Sequence, residues 1–187
     1  MIRDLLISRP LSDDETAPWT TADERQRAAA FGTPSRRAEY LTWRTLVRRR
    51  LGADTPIAYD AAGAPALPGT PWHLSVAHCA GLVAVCLCDV RCAVDAEPSE
   101  RDFGRVVSRV STPAERALSD DPRWPGVLWC AKECLYKYAR RRGADFIRDL
   151  RVTDADLARG AVEGDAAGER VALTIRFDDG CTIVSIP

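Results

Sequence analysis

Apolar residues change their spacing along the chain, and each change marks an element. In TPSRRAEYLTWRTLVRRRLG, Tyr40, Trp43 or Arg44, and Val47 recur at helical spacing, and Gly52 is placed to stop the helix. A shorter helix over about 22–31 follows from Thr21 and Glu24, which form a Thr-x-x-Glu capping box. The stretch AYDAAGAPALPGTP is rich in Ala, Gly and Pro and reads as a loop over a short strand. WHLSVAH and GLVAVCLCDV then read as two strands joined by a tight turn around Cys79–Gly81, and CAVDAEP as a third, closed by Pro98. Helical signals return with Thr112 as N-cap, Pro113 at the first helical position and Glu115 third. A longer helix is predicted from about Pro125 to Arg142, ending before Gly143, with Leu128, Ala131, Leu135 and Tyr138 as its apolar stripe. Finally Val171, Leu173, Ile175 and Phe177 alternate up to an Asp-Asp-Gly turn and CTIVSIP, the pattern of a β-hairpin.

Helices followed by strands, twice over, imply an α+β protein of two similar lobes packed side by side, residues 1–92 and 93–187. A seam between lobes is a favoured place for a ligand. The 187 residues are 46% hydrophobic and 28% charged with a net charge of −1, so no global field draws the chain to nucleic acid or a membrane. Charge is uneven, however. Between Arg25 and Arg50 lie eight arginines and one acid, Glu39, a stretch suited to phosphates or an acidic partner, or to a solvated helix face. The N-terminal MIRDLLISRP has no signal-peptide pattern and no run is long enough to span a bilayer, so a reducing cytoplasm with seven free thiols is expected. Cys86, Cys88 and Cys92 have no common zinc spacing, and His73 and His78 are the only histidines; these cysteines read as small buried hydrophobes.

Alternation puts Asp95 and Glu97 on one face of their strand. Two like charges there repel, and a hard cation such as Mg²⁺ between them removes that cost. Glu133, on the long helix, is the natural third carboxylate. Its turn carries Lys132 and Lys137, the only lysines among 26 basic residues. An i,i+4 ion pair between Glu133 and Lys137 is the plain explanation, but arginine would serve it equally. A compact ammonium in place of a planar fork suggests a position beside a metal and a phosphate oxygen.

AVDAE and WCAKECLYK resemble the two motifs of the 4′-phosphopantetheinyl transferases, a (V/I)-D-x-E strand and a W-x-x-K-E-x-x-x-K helix. RRAEYLTWR, HLSVAHCAGLVAVCL and STPAERAL resemble three further family segments in the right order over residues 20–155, and the length resembles the single-chain, pseudo-dimeric type of surfactin-synthetase activators. The resemblance implies Mg²⁺-dependent transfer of the phosphopantetheine arm of coenzyme A to a serine of an apo acyl or peptidyl carrier protein, with release of 3′,5′-ADP. It implies that Asp95, Glu97 and Glu133 hold the metal, that Glu133 or a water takes the serine proton, and that Lys137 faces the pyrophosphate. Lys132 would join Lys137 in binding coenzyme A or orient Glu133, and Arg44 and His78, with Arg36 or Arg37, would meet the 3′-phosphate or adenine end of coenzyme A. A monomer is expected, since two lobes in one chain build the seam. The sequence departs from the family at Ala64, where a basic residue is usual, and at Ala77 and Cys79 around the histidine. These changes leave room for a homologue that binds coenzyme A or a carrier without transfer. A Mg²⁺-dependent pyrophosphate hydrolase is a third reading, against which stands the lack of a histidine beside the acidic motifs.

Overall fold

Four of the six described α-helices start with a Ser or Thr side-chain cap. In the computed structural model, which describes residues 3–79 and 81–187, a strand β1 (Arg3–Ser8) leads into three helices: α1 (Asp13–Thr16), α2 (Ala22–Ala29) and α3 (Pro34–Leu51). Ser12 caps α1 and Thr21 caps α2, each through a reciprocal capping box with the glutamate three residues on. Thr33 caps α3, and Gly52 at φ 115° ends it where the sequence places the stop. A two-residue pair, β2 (Ala58–Tyr59) and β3 (Pro65–Ala66), borders the Ala/Gly/Pro loop. Then come β4 (His73–Cys79) and β5 (Leu82–Cys88), the expected hairpin; Ala80 in its turn lies outside the described residues.

β1, β5 and β4 form one antiparallel sheet in that order. β5 is central and buried on both faces, which explains its unbroken apolar run. Val83, Val85 and Leu87 pack under Trp43 and Val47 of α3. The alternate residues Leu82, Ala84 and Cys86 point into the other half of the molecule.

That half begins with β6 (Ala93–Pro98), followed by α4 (Gly104–Val110), α5 (Pro113–Arg116) and α6 (Trp124–Ala139). Four strands complete it: β7 (Leu150–Asp156), β8 (Ala161–Ala166), β9 (Glu169–Asp178) and β10 (Cys181–Ile186). Their sheet has the order β6-β10-β9-β8-β7, antiparallel throughout. The stripe of α6 named above is buried against this sheet. Gly164 on β8 permits the close approach, because a Cβ there would meet a methyl of Leu135 and the carbonyl of Arg151 at 3.1 Å each. Val94, Ala96 and Ile183 of this unit meet Ala77, Leu82 and Ala84 of the first in a shared seam core. Along the seam, edge strands β4 and β6 lie side by side, and the Val94 N–H donates to Ser75 Oγ at 3.0 Å.

Two expectations change. The units are unequal, with a five-stranded sheet in the second against a three-stranded one in the first. And the long helix stops at Ala139, three residues early, because Arg140 turns into the left-handed region at φ 49°.

Candidate active site

β6 sorts its side chains by alternation. Val94 and Ala96 enter the seam core, while Asp95 and Glu97 face α6. Three successive turns of α6 answer them with Trp129, Glu133 and Lys137. The Lys137 ammonium donates to Asp95 Oδ1 at 2.7 Å and to the Val94 carbonyl at 2.9 Å. The intrahelical pair with Glu133 is therefore not the contact this lysine makes. Burial works against its charge, but Asp95 outweighs that and holds its pKa above the ordinary lysine value. Glu97 accepts from the Trp129 indole N–H at 2.9 Å and pairs with Arg101 at 2.7 Å.

The carboxyls of Asp95 and Glu133 are both pushed up. Burial is the main cause for Asp95, offset in part by Lys137. For Glu133 it is burial, followed by the charge of Asp95. Asp95 Oδ2 is buried without a hydrogen-bond partner. An orphaned carboxylate oxygen beside a second carboxyl biased toward its proton is a site short of positive charge. All-oxygen donors fit a hard divalent cation such as Mg²⁺. The three carboxylates are not gathered tightly here. Among the described residues, the one set of three ligand atoms within 4.8 Å of each other is Cys86, Cys88 and Cys92. Those thiols lie in the seam core with no fourth ligand in the group, and structural zinc takes four.

Lys132 parts from its expected role. It is 0% exposed, 2.5 Å from Glu115 Oε1, and donates to the carbonyls of Phe146 and Leu150. Burial lowers its pKa against the pull of Glu115. An ammonium so engaged has no proton left for coenzyme A; it ties α6 to α5 and β7. The signal that could have found this lay in STPAERAL, since Glu115 serves both the Thr112 cap and the Val152 N–H.

Beside Lys137 a cavity of about 310 Å³ opens between α6 and the first unit, lined by Asp60, Ala64, Ser75, Val76 and Arg140 among others. Arg141 and Arg142 also border it, so three consecutive arginines that the motif reading passed over bring charge to this cavity. Ala64 lies on its wall, where no basic side chain is contributed.

A second cavity of about 240 Å³ holds His78 and Arg36, with Arg27, Tyr40 and Tyr59. His78 Nδ1 stands 3.1 Å from Glu39 Oε2. Arg37 does not line it and pairs instead with Asp13 at 2.6 Å. Arg44 is 2% exposed and faces away from solvent. It bonds Glu24 and the Tyr59 hydroxyl, and its guanidinium lies 3.5 Å and 3.9 Å from the ring centres of Tyr40 and Trp43. The expected direct phosphate contact gives way to a buttress behind the cavity's aromatic wall. Arg27 and Tyr59 were not singled out by sequence, since neither sits in a motif.

Comparison with known proteins bears on the second unit. The family model described as 4′-phosphopantetheinyl transferase superfamily matches residues 91–177. That span contains Asp95, Glu97, Lys132, Glu133 and Lys137; Arg36, Arg37, Arg44 and His78 fall outside it. No curated protein matches the chain. No described helix is long and apolar enough to cross a membrane.

Proposed function

We propose that the protein moves the 4′-phosphopantetheine arm of coenzyme A onto a serine of an apo acyl or peptidyl carrier protein and releases 3′,5′-ADP. The observation that carries this reading is the juxtaposition of Asp95, Glu133 and Lys137 between β6 and α6, inside the span that matches the family model. The serine oxygen forms a bond to the phosphorus bearing the pantetheine arm, and the bond from that phosphorus to the 3′,5′-ADP oxygen breaks. Asp95, Glu97 and Glu133 are the residues that would hold Mg²⁺, which when bound supplies neutralising charge to the pyrophosphate. Lys137, fixed by Asp95 and Val94, places an ammonium by the leaving oxygen. Glu133 takes the serine proton; its raised pKa suits a base working near neutrality. Trp129 positions Glu97 through its indole N–H. A pseudo-dimeric architecture belongs to the same reading, supported by an antiparallel sheet packed against a long helix in each unit. His78 and Arg36, between the aromatic walls of Tyr40 and Tyr59, suit the adenine and 3′-phosphate end of coenzyme A.

The test is to combine the protein with Mg²⁺, coenzyme A and a panel of apo carrier proteins and weigh the carriers. Gain of the phosphopantetheine mass supports transfer. A panel in which no carrier gains it rejects transfer. A second reading, a binder of coenzyme A or carrier without turnover, draws on Ala64, which brings no basic side chain to the cavity wall where the family usually has one. Binding of coenzyme A with no carrier modified would select it.

A further inference from the structure

Cys79 ends β4 and Cys181 opens β10. Each stands at the root of a hairpin, one in each unit: Cys79 pairs with Leu82, and Cys181 with Asp178. Their sulfurs meet across the seam at 3.1 Å. That is closer than the roughly 3.5–4.0 Å of ordinary carbon contacts and about 1 Å beyond the length of an S–S bond. Both are free thiols. A crevice at the same end of the molecule is lined by Gly81 and Leu82 of one hairpin and Asp178 and Asp179 of the other. Neither sulfur lines it, so a small molecule held there reaches the pair only when the hairpins part.

We propose that Cys79 and Cys181 are a site of reversible covalent cross-linking between the two units, formed by exchange with a low-molecular-weight disulfide such as oxidised glutathione. One thiolate attacks a glutathione sulfur and expels the first glutathione thiolate. The other attacks the mixed disulfide and expels the second. Two protein thiols are oxidised, one disulfide is reduced, and both protons end on two glutathione molecules. Burial, then the neighbouring Cys181, pushes the Cys79 thiol far up, so little thiolate forms while the seam is closed and exchange waits on a hairpin opening. The link would tie the strand carrying His78 to β10, the ladder partner of the acidic strand β6, where Cys181 faces Pro98. This inference does not depend on the transferase reading.

The experiment incubates the full chain with graded ratios of oxidised to reduced glutathione, then analyses mass and melting. The expected product is lighter by two hydrogen atoms. Its tryptic fragment 177–187, whose one cysteine is Cys181, is joined to fragment 51–91. Because fragment 51–91 also holds Cys86 and Cys88, variants assign the partner: Cys79→Ser and Cys181→Ser each abolish the link, and Cys86→Ser/Cys88→Ser retains it. Closing so long a loop raises the melting temperature by on the order of 10 °C, and reductant reverses the rise. Stable glutathione adducts without a cross-link would overturn the proposal. So would a link that persists in Cys79→Ser, or none forming in buffer or in urea low enough to keep the fold.

Discussion

Two lysines sit five residues apart on one helix and do opposite things. Lys137 reaches the site; Lys132 is sealed beneath it with Glu115. Removing one partner of a buried pair strands the other charge, so Lys132→Met should cost about 3–5 kcal/mol in urea unfolding. The KM for coenzyme A of the folded fraction should not move, as befits a residue outside the cavity. Glu133→Gln separates function from stability in the other direction. A carboxyl whose folded pKa is raised contributes stability below its unfolded pKa and loses it as pH rises through the folded one. Asp95 and Glu133 therefore weaken the metal-free fold at neutral pH. Glu133→Gln should melt at or above the wild-type temperature there, while carrier modification falls by about 10²-fold or more. Mg²⁺ should raise the melting temperature of the wild type but not of this variant. Calorimetry should also find Mg²⁺ affinity weakening as pH falls, beginning nearer neutrality than an ordinary carboxylate allows.

At the scale of elements, what was legible followed local chemistry. Thr21, Thr112 and Gly52 mark helix ends by side-chain bonds and backbone freedom that operate within a few residues, and all three stand where the sequence puts them. The alternation in β6 likewise sends Asp95 and Glu97 to one side. β8 was illegible because its inward residues are Val162, Gly164 and Ala166, a weak apolar period whose glycine is set by Leu135 of a distant helix, which leaves little room for a Cβ there. In β7 a bulge between Val152 and Asp154 breaks the period. Arg44 shows the same limit in the site: helical spacing marks the residue, but only the packed aromatic rings decide that it faces inward. The end of α6 is a further case. Arg140 holds a left-handed conformation that costs a non-glycine residue roughly 1–2 kcal/mol, at a position lining the cavity beside Lys137. Arg140→Gly should thus gain about 1 kcal/mol in urea unfolding. Coenzyme A affinity, read by calorimetry, should fall, because a cation leaves the cavity.

Across the whole molecule, the site exists because two edge strands meet. β6 has α6 over one face and the seam core on the other, and its hydrogen-bonded neighbour in the sheet is β10. Ala93 pairs with Ile186 and Pro98 with Cys181, so the acidic strand must wait for nearly the entire second unit to be synthesised before its ladder can form. In the first sheet, β1 likewise waits for β5. Such distant pairings make folding slow, and they leave an apolar edge open on the nascent chain. Refolding should show metal-binding competence arriving only with its slowest phase, after most helical signal has recovered. The strand order thus gives this protein a built-in timetable: the acidic pair is translated midway, yet its pocket matures last. Until β10 docks, β6 is the edge most in need of a chaperone.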